Sequence, residues 1–80
     1  MNAMIDHEEL ERVKKLEDVE WLRTNKVNID IHIDPFPLVY SYRINVWYGF
    51  LPKKMQTFKS KTSLHDCKLQ AMDFLEGRSK

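Results

Sequence analysis

The stretch that decides the fold is residues 40–50, which read YSYRINVWYGF. Tyrosine, isoleucine and valine occupy every second position up to Tyr48. The positions between them hold polar residues and one tryptophan: Ser41, Arg43, Asn45 and Trp47. A period of two residues is typical of a strand with one buried and one solvated face, and aromatic and β-branched residues suit such a surface. We therefore predict that residues 39–50 form the central strand of an antiparallel sheet.

A helix and a first strand are predicted before this central strand. The helix covers residues 7–24, with Asp6 as its N-cap. The apolar positions rotate round the helix near residues 17–18. We favour a break or tightened turn there; the alternative is that the C-terminal half of the helix is covered on more than one side. Residues 27–34 alternate between β-branched and polar side chains, which predicts a strand with one wet face. The prolines at positions 35 and 37 then end that strand.

The C-terminal part predicts a third strand and a last helix. Residues 55–61 form the strand, with Phe58 inward and lysines outward. Ser63 caps a helix over residues 64–76, whose apolar positions recur every three or four residues, and we expect Gly77 to close it. The order α-β-β-β-α predicts a single α+β domain over residues 1–80, a three-stranded antiparallel meander with helices packed on its apolar face.

Composition limits the setting in which the chain works. The chain has 80 residues and a single cysteine, Cys67, and no basic-then-apolar leader precedes its first charged residues. These features favour a reducing, cytoplasmic compartment. No apolar run is long enough to span a bilayer, so we expect no membrane contact. Because so short a chain has a thin core, a homodimer is one alternative to a monomer.

The net charge of +1 hides an asymmetry between the two halves of the chain. Residues 1–34 carry nine acids against five bases, which gives −4, and residues 35–80 carry eight bases against three acids, which gives +5. Such a chain can present a basic face to an acidic partner. The alternative is that the two halves only neutralise each other.

A partner-binding surface is predicted on the polar face of the sheet. Trp47 is the anomaly there, because tryptophan is large and apolar while its strand neighbours on that face are polar. Tryptophan and arginine are over-represented among residues that dominate protein interfaces. The predicted partner-binding set is Trp47, Arg43, Asn45 and His32. The alternative is that helix one or the loop at residues 35–38 covers Trp47.

A nucleic-acid-binding function is the alternative to a protein partner. Its predicted residues are the lysines of the second turn and third strand: Lys53, Lys54, Lys59 and Lys61. Trp47 would then stack on an unpaired base. Dispersed lysines give modest and strongly salt-dependent affinity for nucleic acid. The alternative is that these lysines only form a solvated rim of the domain and bind no partner.

No pattern in the sequence indicates an enzyme, a cofactor or a metal site. Asp30, His32 and Asp34 share a strand face, but no further histidine or cysteine joins them, whereas zinc requires three or four such ligands. His65 and Cys67 are two residues apart on a helix and point in different directions. We therefore predict a non-enzymatic binding module.

Two nucleic-acid-binding families resemble this chain in topology. Residues 42–46 and 58–61, which lead into a capped helix, look like the βββα arm-type DNA-binding domains of tyrosine recombinases. The α-β-β-β-α order, with Ala71 and Leu75 late in the last helix, is similar to double-stranded-RNA-binding domains. Both resemblances imply nucleic-acid binding, although residues 63–66 lack the lysine cluster that opens the last helix of the RNA-binding family.

In size and general composition the chain also resembles small α/β proteins encoded by phages and prophages. Some of those proteins inhibit host defence systems by occupying a surface on a larger host protein. This resemblance implies a protein partner.

Overall fold

The computed structural model describes residues 6–34 and 42–78. Their elements are, in chain order, α1 (His7–Glu17), α2 (Val19–Thr24), β1 (Asn28–Ile33), β2 (Tyr42–Tyr48), β3 (Lys54–Ser60) and α3 (Leu64–Arg78). The three strands form one antiparallel sheet in the order β1-β2-β3, with β2 in the centre. The predicted α+β class and meander are confirmed. The first residues of the predicted central strand, 39–41, lie outside the described residues.

Asp18 divides the N-terminal helical segment into α1 and α2, as the apolar pattern predicted. Its backbone is extended, and its N–H donates to the carbonyl of Lys15 at 3.0 Å, which closes α1. Its carboxylate accepts from the backbone N–H groups of Glu20 at 2.9 Å and Trp21 at 3.2 Å, which opens α2. One side chain therefore satisfies donors that the first turn of a helix leaves unpaired.

The side chains of the central strand point alternately to the two faces of the sheet, as the sequence pattern predicted. Ile44 and Val46 are fully buried, whereas Arg43 and Trp47 point to the opposite, exposed face. On the buried side, Ile44 lies between Ile31 of β1 and Phe58 of β3. This arrangement gives the sheet one apolar face and one wet face.

The helices form a layer on the apolar face that is centred on β2 and β3. The Phe74 ring of α3 lies 5.1 Å from the ring of Tyr48 and 5.6 Å from that of Phe58. Helix α1 packs mainly on α3, where Arg12 Nε lies 2.8 Å from Glu76 Oε1 and Lys68 pairs with Glu17. The buried cluster comprises Leu16, Val27, Ile44, Val46, Cys67, Ala71, Met72 and Leu75.

The helix layer leaves much of the apolar face of β1 uncovered. Ile29 packs against the buried cluster, but Ile31 is 39% exposed and Ile33 is 60% exposed. The reason is that α3 contacts β2 and β3, so that β1 lies at the edge of the helix layer. The alternation of β1 correctly assigns the faces of its side chains, yet it does not say what covers them.

The last helix extends two residues beyond its predicted end. Helix α3 runs to Arg78 and includes Gly77, which was expected to close it. Gly77 does not have the positive φ that ends a helix; among the described glycines only Gly49 does, with φ 87°. A glycine weakens a helix, but it stops the helix only when it adopts the left-handed conformation.

Candidate functional site

The face of the sheet opposite the helices is exposed and carries all the predicted partner-binding residues. The described helices pack on the other face, through α3. Three rows of side chains cross the exposed face, one residue from each strand: Asn28, Trp47 and Met55; Asp30, Asn45 and Thr57; His32, Arg43 and Lys59. We call this surface the outer face.

Trp47 is the largest side chain on the outer face. It is 40% exposed, and the described helices pack on the other face of the sheet. The loop at residues 35–38, which was the other predicted cover, lies outside the described residues. Its neighbours in the row are Asn28 and Met55, and Met55 is 47% exposed. An aromatic ring beside a thioether forms an apolar surface that can adapt its shape to a partner.

The other three predicted residues share the face with Trp47 but differ in their contacts. The Asn45 side-chain oxygen accepts from the Thr57 hydroxyl at 2.9 Å, and His32 Nε2 lies 3.0 Å from a carboxylate oxygen of Asp30. Arg43 lies four residues from Trp47 on the same strand, about 13 Å away. The structure therefore places Trp47, Asn45 and Arg43 in a line along β2, with His32 beside Arg43 on β1.

A groove adjoins the Trp47 end of the outer face. It lies between α2 and the turn after β2, has a volume of about 590 Å³, and includes Asn28, the row neighbour of Trp47. Its apolar lining is Val19, Leu22, Val27, Ile29 and Phe50. Its basic lining is Arg23, Lys26 and Lys53. We call this feature the α2 groove.

Local backbone geometry builds the α2 groove. Lys26 has φ 57°, a left-handed conformation that lets the chain turn from α2 into β1, and the N–H of Val27 then donates to the carbonyl of Leu22 at 2.8 Å. On the opposite wall, the positive φ of Gly49 directs the chain out of β2. Lys26 Nζ lies 4.7 Å from the centre of the exposed Phe50 ring, a cation–π contact that bridges the two walls.

The groove carries uncompensated positive charge. None of its described lining residues is acidic, and no ion pair among the described residues involves Arg23, Lys26 or Lys53. Lysine or arginine side chains beside apolar surface favour a ligand that combines acidic and apolar groups.

Sequence reasoning missed both Met55 and the α2 groove as parts of the site. Met55 was placed in the third strand, but its position beside Trp47 depends on the register between β2 and β3. The groove forms only where α2 approaches the turn after β2. A weak signal for it was present, because Phe50 and Leu51 are large apolar residues in a turn that also carries Lys53.

The predicted nucleic-acid-binding lysines are exposed but do not form one cluster. Lys53 and Lys54 lie at the β2–β3 turn, whereas Lys59 lies beside Arg43 near the other end of the sheet. Lys59 follows Lys54 by five positions along the strand, which corresponds to about 17 Å. Lys61 lies beyond the end of β3. The four lysines therefore present two separate basic areas.

Two residues of α3, His65 and Cys67, were weighed as a reactive pair, and the structure shows the surroundings of each. Cys67 is fully buried, and burial, together with the neighbouring Asp66 carboxylate, raises the pKa of its thiol. A thiol held in its neutral form is a poor nucleophile. His65 Nε2 lies 3.9 Å from Glu9 Oε2 of α1, outside hydrogen-bond distance. In the part of the chain that the structure describes, no three histidine, cysteine or acidic side chains are placed to hold a metal ion.

No protein-family model, curated protein or solved structure matches this chain. The resemblances to recombinase arm domains, RNA-binding domains and phage proteins therefore stay predictions from the sequence. None of the helices in residues 6–34 and 42–78 has the length and apolar character needed to cross a membrane.

Proposed function

We propose that the protein is a non-enzymatic binding module that docks on a protein partner through the outer face around Trp47. The observation that supports this most is a tryptophan that is 40% exposed on the central strand, beside the exposed Met55. Burial of a large aromatic side chain at a protein interface contributes more than that of almost any other residue.

The chemistry around Trp47 indicates what such a partner presents. Basic side chains lie on two sides of the apolar centre: Arg43 lies along the strand, and Lys53 lies at the adjacent turn. The α2 groove adds apolar lining and two further bases, Arg23 and Lys26. We infer that the partner offers an apolar protrusion flanked by acidic residues. Asn45 and His32 then supply polar contacts farther along the face.

The cellular compartment of this interaction is inferred from the sequence. The free, buried thiol of Cys67 fits a reducing compartment, and we assign the protein to the cytoplasm. The resemblance to small phage-encoded proteins makes inhibition of a host protein the form of docking that we propose. Such a protein acts by occupying a surface, and it therefore needs no catalytic group.

A nucleic-acid partner is the competing proposal. The separation of Lys53 and Lys54 from Lys59 weakens it, because a phosphate backbone is neutralised best by a continuous track of bases. Stacking of Trp47 on a base remains the feature in its favour.

Capture from a lysate of the organism that encodes the chain tests one proposal against the other. The tagged protein is incubated with and without nuclease, washed at about 0.1 M and about 1 M NaCl, and analysed for protein and nucleic acid. A complex anchored by a desolvated tryptophan should survive nuclease and lose little at high salt, since apolar burial is not screened. Nucleic acid that is recovered at low salt and lost at high salt would contradict the proposed function.

A further inference from the structure

Strand β1 has one unpaired edge. It pairs with β2 on one side only, and no described strand pairs with its other side. An edge strand presents a row of backbone N–H and C=O groups that can bond to another strand. Five of its six residues are exposed, so this edge is open in the part of the chain that the structure describes.

The two edges of the sheet differ in how they resist pairing. Strand β3 carries Lys54 and Lys59, and Lys53 and Lys61 flank it. Lysines on an edge strand are a common protection against edge-to-edge association. Strand β1 reads NIDIHI and contains no lysine, proline or glycine. The sheet is therefore protected at the β3 edge and unprotected at the β1 edge.

The apolar side chains of β1 need additional cover. Ile31 and Ile33 lie on the helix side of the sheet and are 39% and 60% exposed. A strand laid against the free edge would place new side chains beside both of them, on the same face of the sheet.

We propose that the partner at this edge is a second copy of the chain, with the two β1 strands paired antiparallel about a twofold axis at Ile31. The sheet becomes six-stranded and continuous across the two chains. On the outer face, Asp30 then lies opposite the partner's His32, and His32 opposite the partner's Asp30. On the helix side, Ile31 meets the partner's Ile31, and Ile29 meets the partner's Ile33.

The residue pattern selects this register over its neighbours. In an antiparallel pair, two residues directly opposite each other point to the same face of the sheet. The twofold axis that relates two copies of β1 must therefore pass through a residue and not between two residues. An axis at Asp30 or His32 would place identical polar side chains opposite each other. An axis at Ile33 would bring Pro35 into the ladder, where it has no N–H to donate. An axis at Ile29 would place Ile33 opposite Asn25, which lies before the strand. The axis at Ile31 pairs unlike polar residues and keeps the isoleucines together.

Of the predicted partner-binding residues, only His32 takes part in this dimer. Trp47 lies on β2, and its outer-face surface stays exposed when β1 is paired. Loss of the dimer and loss of partner binding are therefore measured separately, one by mass in solution and the other by capture.

Disulfide crosslinking of the full chain tests the register. Under mild oxidation, most Ile31→Cys chains should form a disulfide dimer, because the two axial Cα atoms would lie about 4.5–5.5 Å apart. Ile29→Cys alone should not crosslink, since its copies would lie about 13 Å apart, whereas a mixture of Ile29→Cys and Ile33→Cys should form the mixed dimer. The native Cys67 is fully buried, so we expect it to form no disulfide in these experiments.

Sedimentation equilibrium provides the second readout and avoids the oxidant. The unmodified chain should show twice the mass of one chain. His32→Asp should weaken the dimer about tenfold, because it places acids opposite each other at two symmetric positions. The exchange Asp30→His with His32→Asp restores the pairing and should recover the affinity. A chain that stays monomeric up to about 1 mM, or equal crosslinking at all three cysteine positions, would overturn the proposal.

Discussion

Replacement of Met72 by alanine should lower the free energy of unfolding by about 2–5 kcal/mol, as expected for the truncation of a large, fully buried side chain. Met72 lies in α3, is fully buried, and belongs to the cluster that joins α3 to the sheet. Its truncation removes apolar contacts and leaves a cavity that the surrounding side chains fill only in part. Urea denaturation followed by circular dichroism measures the loss.

Met55→Ala is the matched control for this variant. The residue type and the truncation are the same, but Met55 lies on the outer face and is 47% exposed. We expect a loss below about 1 kcal/mol, as is usual for an exposed position. Because small domains have only about 5–15 kcal/mol of total stability, the two variants should unfold at clearly different urea concentrations. Equal losses would mean that the helix layer does not pack on the sheet as described.

The features that the sequence predicted best are those encoded in one segment. The alternation around Ile44 assigned each side chain of β2 to its face, because a strand has a strict period of two. The break near residues 17–18 was the favoured prediction because the apolar positions lose their phase there. The structure adds that Asp18 caps the helix that follows. Both features depend on neighbours along the chain.

The features that the sequence did not predict depend on contacts between distant segments. The alternation of β1 does not state how far the helix layer reaches, so the exposure of Ile33 follows only from the placement of α3 on β2 and β3. Similarly, whether Gly77 ends a helix depends on its φ, which no residue pattern specifies. The α2 groove requires the approach of α2 to the turn after β2.

The candidate site was predicted in part for the same reason. The outer-face position of Trp47 follows from alternation, but its exposure required knowledge of which face the helices cover. The pairing of Asn45 with Thr57, and the place of Met55 beside Trp47, follow from the register between β2 and β3. Turn length sets that register, and the turn after β2 matches no short hairpin pattern.

Truncation of Trp47 to alanine should weaken the complex with the captured partner by at least about 2 kcal/mol, which is about 30-fold in Kd. The physical reason is the loss of the largest apolar surface on the outer face. Calorimetric titration measures the affinity. Trp47→Phe keeps an aromatic ring and should fall between the unmodified protein and Trp47→Ala.

Stability measurements separate a binding effect from a folding effect. Trp47 is partly solvated already, so Trp47→Ala should retain the helical circular dichroism signal and a cooperative urea transition. Val19→Ala removes an exposed apolar side chain from the edge of the α2 groove and serves as a milder surface variant. Unchanged affinity in a folded Trp47→Ala protein would remove Trp47 from the interface.

The two tryptophans of the chain provide the most direct test of docking through the outer face, since each has one indole N–H signal in the spectrum of the isotope-labelled protein. Trp21 is partly buried against the cluster on the helix side, whereas Trp47 lies on the outer face. On addition of the captured partner, the indole signal of Trp47 should shift or broaden while that of Trp21 stays in place. A shift of the Trp21 signal alone would contradict docking through the outer face.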